Sequence, residues 1–278
     1  MSNLLRAGLA RYLKNPLTAL VAVASLVIGL LGGRNAVYTI DDVYLIALFI
    51  AFAAFISLFV GREHGEGGFR NKAIKGYTKG QIFFSEWLLH TAFCLAILLL
   101  FLAGFAPLAH EVLSPVPGSM LLLIAFCLVM MTVAVVTLLC VLSMLVSSRA
   151  VSAILSVLLV IGLLFASYAI DAALTRPQYY LVEHYNEAGE FVSLQKIEDP
   201  RYVDGAARTL LTHLSYTLPL GQSEPLLESI AIWNYSNAEA DHDFSWLKSI
   251  KFLPLYSLGL TAIFGAIGYT VFRRRDLK

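Results

Sequence analysis

Six long apolar runs, separated by polar connections, organise the chain: Leu17 to Gly33, Val43 to Val60, Trp87 to Leu108, Met120 to Val146, Val151 to Ile170 and Phe252 to Phe272. About 20 apolar residues in a helix cross a bilayer, so each run predicts a transmembrane helix. The first two are short, and the fourth is long enough to tilt. Ahead of the first run, Leu4, Leu5, Leu9, Tyr12 and Leu13 fall on one side of a helix, with Arg6, Arg11 and Lys14 largely opposite. That is the pattern of a helix lying in the membrane interface. No small-residue cleavage site follows the first run, so it is expected to be a retained span and not a removed signal.

Two polar connections carry further periodicity. Between spans two and three, Phe69, Ala73, Ile74 and Tyr77 recur at helical spacing among Arg70, Lys72 and Lys75. Gly67 and Gly68 break the chain before them, and Gly76 stands where a helix ends in a left-handed cap. Thr78 and Gln81 then form a Thr-x-x-Gln capping box for the start of span three. Between spans five and six, Leu210, Leu211, Leu214 and Leu218 share a helical face that Pro219 ends, and Pro225 opens a second apolar run through Leu226, Leu227, Ile230 and Trp233. Two short helices lying on, or dipping into, the outer leaflet are expected there.

Composition agrees with the pattern: 58% of the 278 residues are hydrophobic and 14% charged, beyond the usual range of a soluble domain. The expected fold is an all-α integral membrane protein with six transmembrane helices. It divides into an interfacial N-terminal helix (1–16), spans one and two (17–61), a loop with a short helix (62–82), spans three to five (83–171), an external segment (172–249) and a last span with a basic tail (250–278).

Charge sets the orientation. Arg6, Arg11 and Lys14, then Arg62, Arg70, Lys72, Lys75 and Lys79, then Arg149, and finally Arg273, Arg274, Arg275 and Lys278 fall on one side. The opposite connections hold Arg34 against Asp41 and Asp42, His110 and Glu111, and most of the acids between Asp171 and Ser249. Both termini and the short helix are therefore expected in the cytoplasm. With a net charge of +1 and scattered basic residues, no nucleic-acid stripe is present.

Physical chemistry alone leaves two uses for the short basic helix: resting on anionic lipid or filling a groove in a soluble partner. Gly68, Arg70-Asn71-Lys72, Gly76, Thr78-Lys79, Ile82 and Ser85 resemble the cytoplasmic-loop signature of small bacterial ABC-2 type transporter permeases, departing from it at Phe69 and Lys79. The six-span layout with a large last external loop extends the resemblance along the chain. The resemblance implies a coupling helix docked on a separate ABC ATPase subunit. Two permease chains, identical or different, and two ATPase chains would then assemble in the bacterial cell membrane. Phe69, Arg70, Asn71, Ile74 and Tyr77 would form the contact, with Lys72 in the motif and Gly76 and Thr78 shaping it. ATP and Mg would sit on the partner; no cofactor is expected on this chain, which has no G-x-x-x-x-G-K-[ST] phosphate loop. The implied function is ATP-driven export of a hydrophobic or amphipathic compound, such as a peptide, bacteriocin or drug, in the service of self-resistance.

Other residue groups point to plainer roles. The span cores lack Asp, Glu, Lys and Arg, with Glu86, His90, His110 and Asp171 near the ends, which argues against an ion-coupled carrier. His90 is expected to be a satisfied interfacial histidine. Glu63, His64 and Glu66 have no i, i+4 metal-ligand spacing, and Asp241-His242-Asp243 reads as a solvated acidic turn. Cys94, Cys127 and Cys140 lie in apolar runs as small hydrophobes. Gly29, Gly33, Gly265 and Gly268 permit close helix approach, and the brief connection at Ser147 to Ala150 predicts an antiparallel pair of spans four and five. The competing function class is a non-transporting immunity or scaffold protein that binds a ligand through its external loop.

Overall fold

A computed structural model describes residues 1–36, 42–185, 191–236 and 250–276. Its first helices are α1 (Ser2–Lys14), α2 (Pro16–Asn35), α3 (Val43–Gly65), the short α4 (Gly68–Ile74), α5 (Lys79–Leu108) and the single turn α6 (His110–Leu113). Then follow α7 (Gly118–Leu145), α8 (Arg149–Leu174), a hairpin of β1 (Tyr179–Tyr185) and β2 (Phe191–Glu198), α9 (Gly205–Thr217), a 3₁₀ turn (Pro219–Gln222), α10 (Ser223–Ser236) and α11 (Leu253–Arg274). Among the described residues, six helices are long and apolar enough to cross a membrane: α2, α3, α5, α7, α8 and α11. The chain is a multi-pass membrane protein by that measure. Span three is longer than its apolar run because the Thr78 capping box starts the helix at Lys79: the Gln81 amide donates to Thr78 Oγ1 at 3.2 Å and the Thr78 amide to Gln81 Oε1 at 3.0 Å.

Lipid tails are as apolar as leucine, so these helices associate through close packing and internal hydrogen bonds. Helix α3 supplies the centre, with Phe49, Phe52 and Phe55 wholly buried. Glycines bring α2 onto α5: a Cβ at Gly29 or Gly33 would overlap the carbonyl oxygens of Phe101 or Phe105. Gly268 likewise admits Val141 of α7 against α11, whereas Gly265 meets α7 only at ordinary contact distance. Ser143 and Ser156 link α7 to α8 at 3.4 Å, yet α8 packs more extensively along α3 than along α7. The expected pair is thus joined in sequence more than in space. All three cysteines are free and buried.

One end of the bundle gathers α1, α4 and the last turn of α11, and is called the basic end here. The other, acidic end carries the segment between α8 and α11. Both helices expected there form, and a β-hairpin that was not expected precedes them. Its strands pair antiparallel from Tyr179 opposite Glu198 to His184 opposite Ser193, with an irregularity at Tyr185. Tyr179-Tyr180-Leu181-Val182 and Phe191-Val192, bounded by Pro177 and Pro200, are rich in strand-favouring types. The helical periodicity further on had no counterpart in this stretch. Asp199, buried at the hairpin base, accepts from the Tyr180 hydroxyl at 2.6 Å and the Arg201 amide at 2.9 Å, and these bonds hold its carboxyl below the usual range.

Helix α9 buries none of its residues; it straps α8 to α11. Arg208 donates to the Leu174 carbonyl at the end of α8 at 2.7 Å, and His213 Nδ1 meets the Tyr256 hydroxyl at 2.5 Å. The chain then turns inward. Pro219, Leu220, Gly221 and Gln222 are all buried, and Leu220 joins the main core. Irregular backbone at such depth is tolerated where protein surrounds it and satisfies its polar groups. Gln222 does this by donating to the Tyr216 carbonyl at 2.7 Å and accepting from the Ser257 hydroxyl at 3.0 Å. Asp241, His242 and Asp243 lie outside the described residues.

Candidate functional site

The basic end is built around α4, seven residues long and closed by glycine at both sides. Gly67 (φ +65°) turns the chain out of α3, and Gly76 (φ +86°) turns it toward α5. The Tyr77 amide donates to the Lys72 carbonyl at 3.2 Å and the Gly76 amide to the Ala73 carbonyl at 3.0 Å. These two bonds are the Schellman arrangement, which satisfies the last carbonyls of a helix. Left-handed backbone costs an L-residue about 1–2 kcal/mol, so glycine is the residue that makes so short a helix end cleanly.

The structure divides the residues expected to contact a partner. Arg70, Asn71 and Ile74 face outward with Lys75, and Ile74 is 71% exposed. Gly76 and Thr78 are exposed and shape the turn, and Tyr77 is half-buried. Phe69 and Lys72, expected at the docking helix, turn inward. Phe69 is 3% exposed, set edge-on to His64 at 4.8 Å and to Phe272 at 5.7 Å. With Ala73 and Tyr77 also packed on the core, the apolar stripe of α4, apart from Ile74, finds its partner within the chain. Its spacing was legible in the sequence; the surface waiting for it, made by α3 and α11, was not.

Lys72 enters a charged cluster that sequence reasoning missed. Its ammonium pairs with Glu63 of α3 at 2.6 Å and with Glu86 of α5. Side-chain exposure is 12% for Lys72 and Glu63 and 4% for Glu86. Burial pushes the Lys72 ammonium below its ordinary pKa, and the Glu86 carboxylate opposes that shift. Arg11 of α1 pairs with the other oxygen of Glu63. The signal that could have found the cluster is Glu86 itself, a single acid entering a long apolar run, which requires a cation from somewhere.

Tyr12 and His90 complete the junction between α1 and α5. His90 is fully buried, with Nδ1 2.7 Å from the Glu86 carbonyl oxygen and Nε2 2.8 Å from the Tyr12 hydroxyl. The carbonyl only accepts, so Nδ1 carries a proton; with the ring neutral, Nε2 accepts from Tyr12. His90 is thus satisfied, as expected, and fully buried within the protein. Tyr12 stacks on Phe59 and Phe93 at 4.2 and 4.3 Å, and burial raises its phenol pKa well above normal. Leu4 and Tyr12 therefore dock α1 on the bundle, while Leu9 and Leu13 remain 46% and 70% exposed.

Other basic residues act as helix caps. Lys79 donates to the carbonyls of Arg273 and Arg275 at 3.0 and 2.6 Å, and Arg275 to those of Met144 and Leu145 at 3.1 and 2.7 Å. Cations at helix C-termini satisfy orphan carbonyls and complement the dipole. Glu66 is drawn to Arg62 at 2.6 Å and His64 to the Met144 carbonyl at 3.2 Å, so Glu63, His64 and Glu66 have no partner in common.

No protein-family model matches the chain. Nor does any curated protein. The site is therefore described by its own chemistry: a short capped helix with a basic and apolar outer face, anchored from beneath by Phe69 and by buried charge.

Proposed function

We propose that the chain is the permease subunit of an ABC-2 type transporter in a bacterial cell membrane, with both termini cytoplasmic. It exports a hydrophobic or amphipathic compound, energised by ATP and Mg on a separate ATPase subunit. Two permease and two ATPase chains form the working assembly. The observation that carries this reading is the outward patch of Arg70, Asn71 and Ile74 on α4. A 71% exposed isoleucine on a helix pinned by glycine turns is a ready anchor for a groove in a soluble partner. The resemblance of the sequence at the same residues to a coupling-helix signature supports an ATPase as that partner. Spans without midplane charge suit an apolar cargo better than a small ion.

The test is purification of the tagged chain from its native membrane in mild detergent, beside an Arg70→Glu/Ile74→Asp variant. A P-loop ATPase recovered with the natural chain and lost with the variant is the expected result. Recovery of the folded chain without any ATPase overturns the proposal. The exposed hairpin, with Leu181 at 69% and Val192 at 61%, favours the scaffold reading in that event, with ligand capture on the acidic side.

A further inference from the structure

The charged cluster beneath α4 joins elements that chain connectivity leaves separate. Lys72 reaches α3 through Glu63 and α5 through Glu86, and Glu63 passes the connection to Arg11 on α1. Four charges meet here, two of each sign. Removing Lys72 leaves the Glu86 carboxylate without its cation in a site nearly closed to water, so the ends of α3 and α5 cannot separate from α4 without a large electrostatic cost. Packing alone would permit sliding, whereas charge-assisted pairs fix atom to atom. Tyr12 and His90, alongside, give α1 its own bond to α5.

We propose that the Lys72–Glu63–Glu86 cluster, extended by Arg11, is the linkage through which displacement of α4 moves α1 and the ends of α3 and α5 as one body. The proposal rests on the permease reading for the force applied to α4. It adds that the N-terminal helix at the membrane surface is driven by the same force, and it makes these four side chains positioning residues and not docking residues.

The experiment uses the assembled complex in lipid nanodiscs, with spin labels at Leu13→Cys on α1 and Leu122→Cys on α7. Both positions are exposed, at 70% and 73%, and the natural cysteines are buried. MgATP with vanadate is expected to shift the label distance in the otherwise natural chain. In Lys72→Met/Glu63→Leu/Glu86→Leu, which replaces the ions by apolar groups of similar size, the ATPase still co-purifies and hydrolyses ATP but the shift is lost. A shift equal to that of the natural chain overturns the proposal. If the triple variant does not fold, Arg11→Met decides, because that side chain is half-exposed. It should reduce the α1 shift, the Tyr12–His90 bond remaining, while a Leu99/Leu122 label pair within the spans still responds, and Arg11→Lys should restore it. An unchanged α1 shift in Arg11→Met overturns the linkage. Failure to recover an ATPase with the natural chain removes the permease reading and this inference together, whereas docking without linkage removes only the inference.

Discussion

At the basic end, Lys72, Glu63 and Glu86 bury full charges against one another, across three elements. At the acidic end, Gln222 and Ser223 bury neutral groups, bonded to nearby carbonyls, to Ser257 and to Asp42. The contrast separates two ways of placing polar groups in an apolar bundle. A charged cluster is held by all its members and fails if one is removed. A neutral plug is held by local bonds that survive small changes, and its cost is set by the shape of the backbone. The basic end is therefore expected to behave as a rigid joint and the acidic end as a packed stopper.

The sharpest way to break the contrast is to remove one member of the joint. Glu86→Leu alone leaves Lys72 and Arg11 to share Glu63, and Lys72→Met leaves Glu86 without its cation and Glu63 with Arg11 alone. Lys72→Met is expected to cost about 3–5 kcal/mol, because the buried Glu86 carboxylate is left uncompensated, and Glu86→Leu less, because Lys72 keeps Glu63. The triple apolar replacement should cost far less. Thermal unfolding of the purified chain in mild detergent checks the order, and equal losses in single and triple variants would show that packing, not charge, holds this end.

Next in size is a backbone test at the stopper. A Cβ at Gly221 would overlap the Ser215 carbonyl oxygen, with the Ser215 hydroxyl also close. Gly221→Ala is thus expected to lower stability by about 1–3 kcal/mol through overpacking. Gln222→Ala, by contrast, should be partly relieved if water reaches the vacated site. A smaller effect is expected for Gly76→Ala, where open space surrounds the position but φ is +86°. The left-handed backbone costs an alanine about 1–2 kcal/mol. The loss should appear as faster amide exchange confined to α4 and the first turn of α5, with the unfolding midpoint barely moved.

How much of this was legible beforehand follows from the range of the forces involved. The six spans, the glycine turns and the Thr78–Gln81 box are local: period, cap and hydropathy specify them within a few residues. The glycine contacts of α2 with α5 were legible as a tendency, since small residues at Gly29 and Gly33 permit approach without naming the neighbour. The inward turn of Phe69 and Lys72 was not legible, because α3, α5 and α11 build the receiving surface from residues up to some 200 positions away. The hairpin was locally encoded by its aromatic and β-branched residues, a weaker signal than the helical period of Leu210 and Leu214 in the same segment. Glu86 carried a readable signal, an acid inside an apolar helix, whose meaning depended on finding Lys72 fourteen residues earlier.

The smallest expected effect sharpens the comparison by titration. Glu224, in the first turn of α10, has its carboxyl pushed up to about 7, first by burial, then by the charge of Asp171 and a hydrogen bond shared with it, with Glu228 and Asp42 adding repulsion. A raised carboxyl pKa means that the folded state holds a proton which the unfolded chain, titrating near 4.5, has already released. Stability is then greatest below the unfolded value and falls as pH rises through the folded one, so the sensitive window runs from about 4.5 to 7. Glu224 is exposed at its outer side, so solvent screening reduces the effect to about 1 kcal/mol or less. The unfolding midpoint should therefore decline modestly between pH 5 and pH 8. Glu224→Gln, which keeps the shape and removes the charge, should flatten that part of the curve. The same decline in Glu224→Gln as in the natural chain would move the titrating group elsewhere and leave the acidic stopper insensitive to pH.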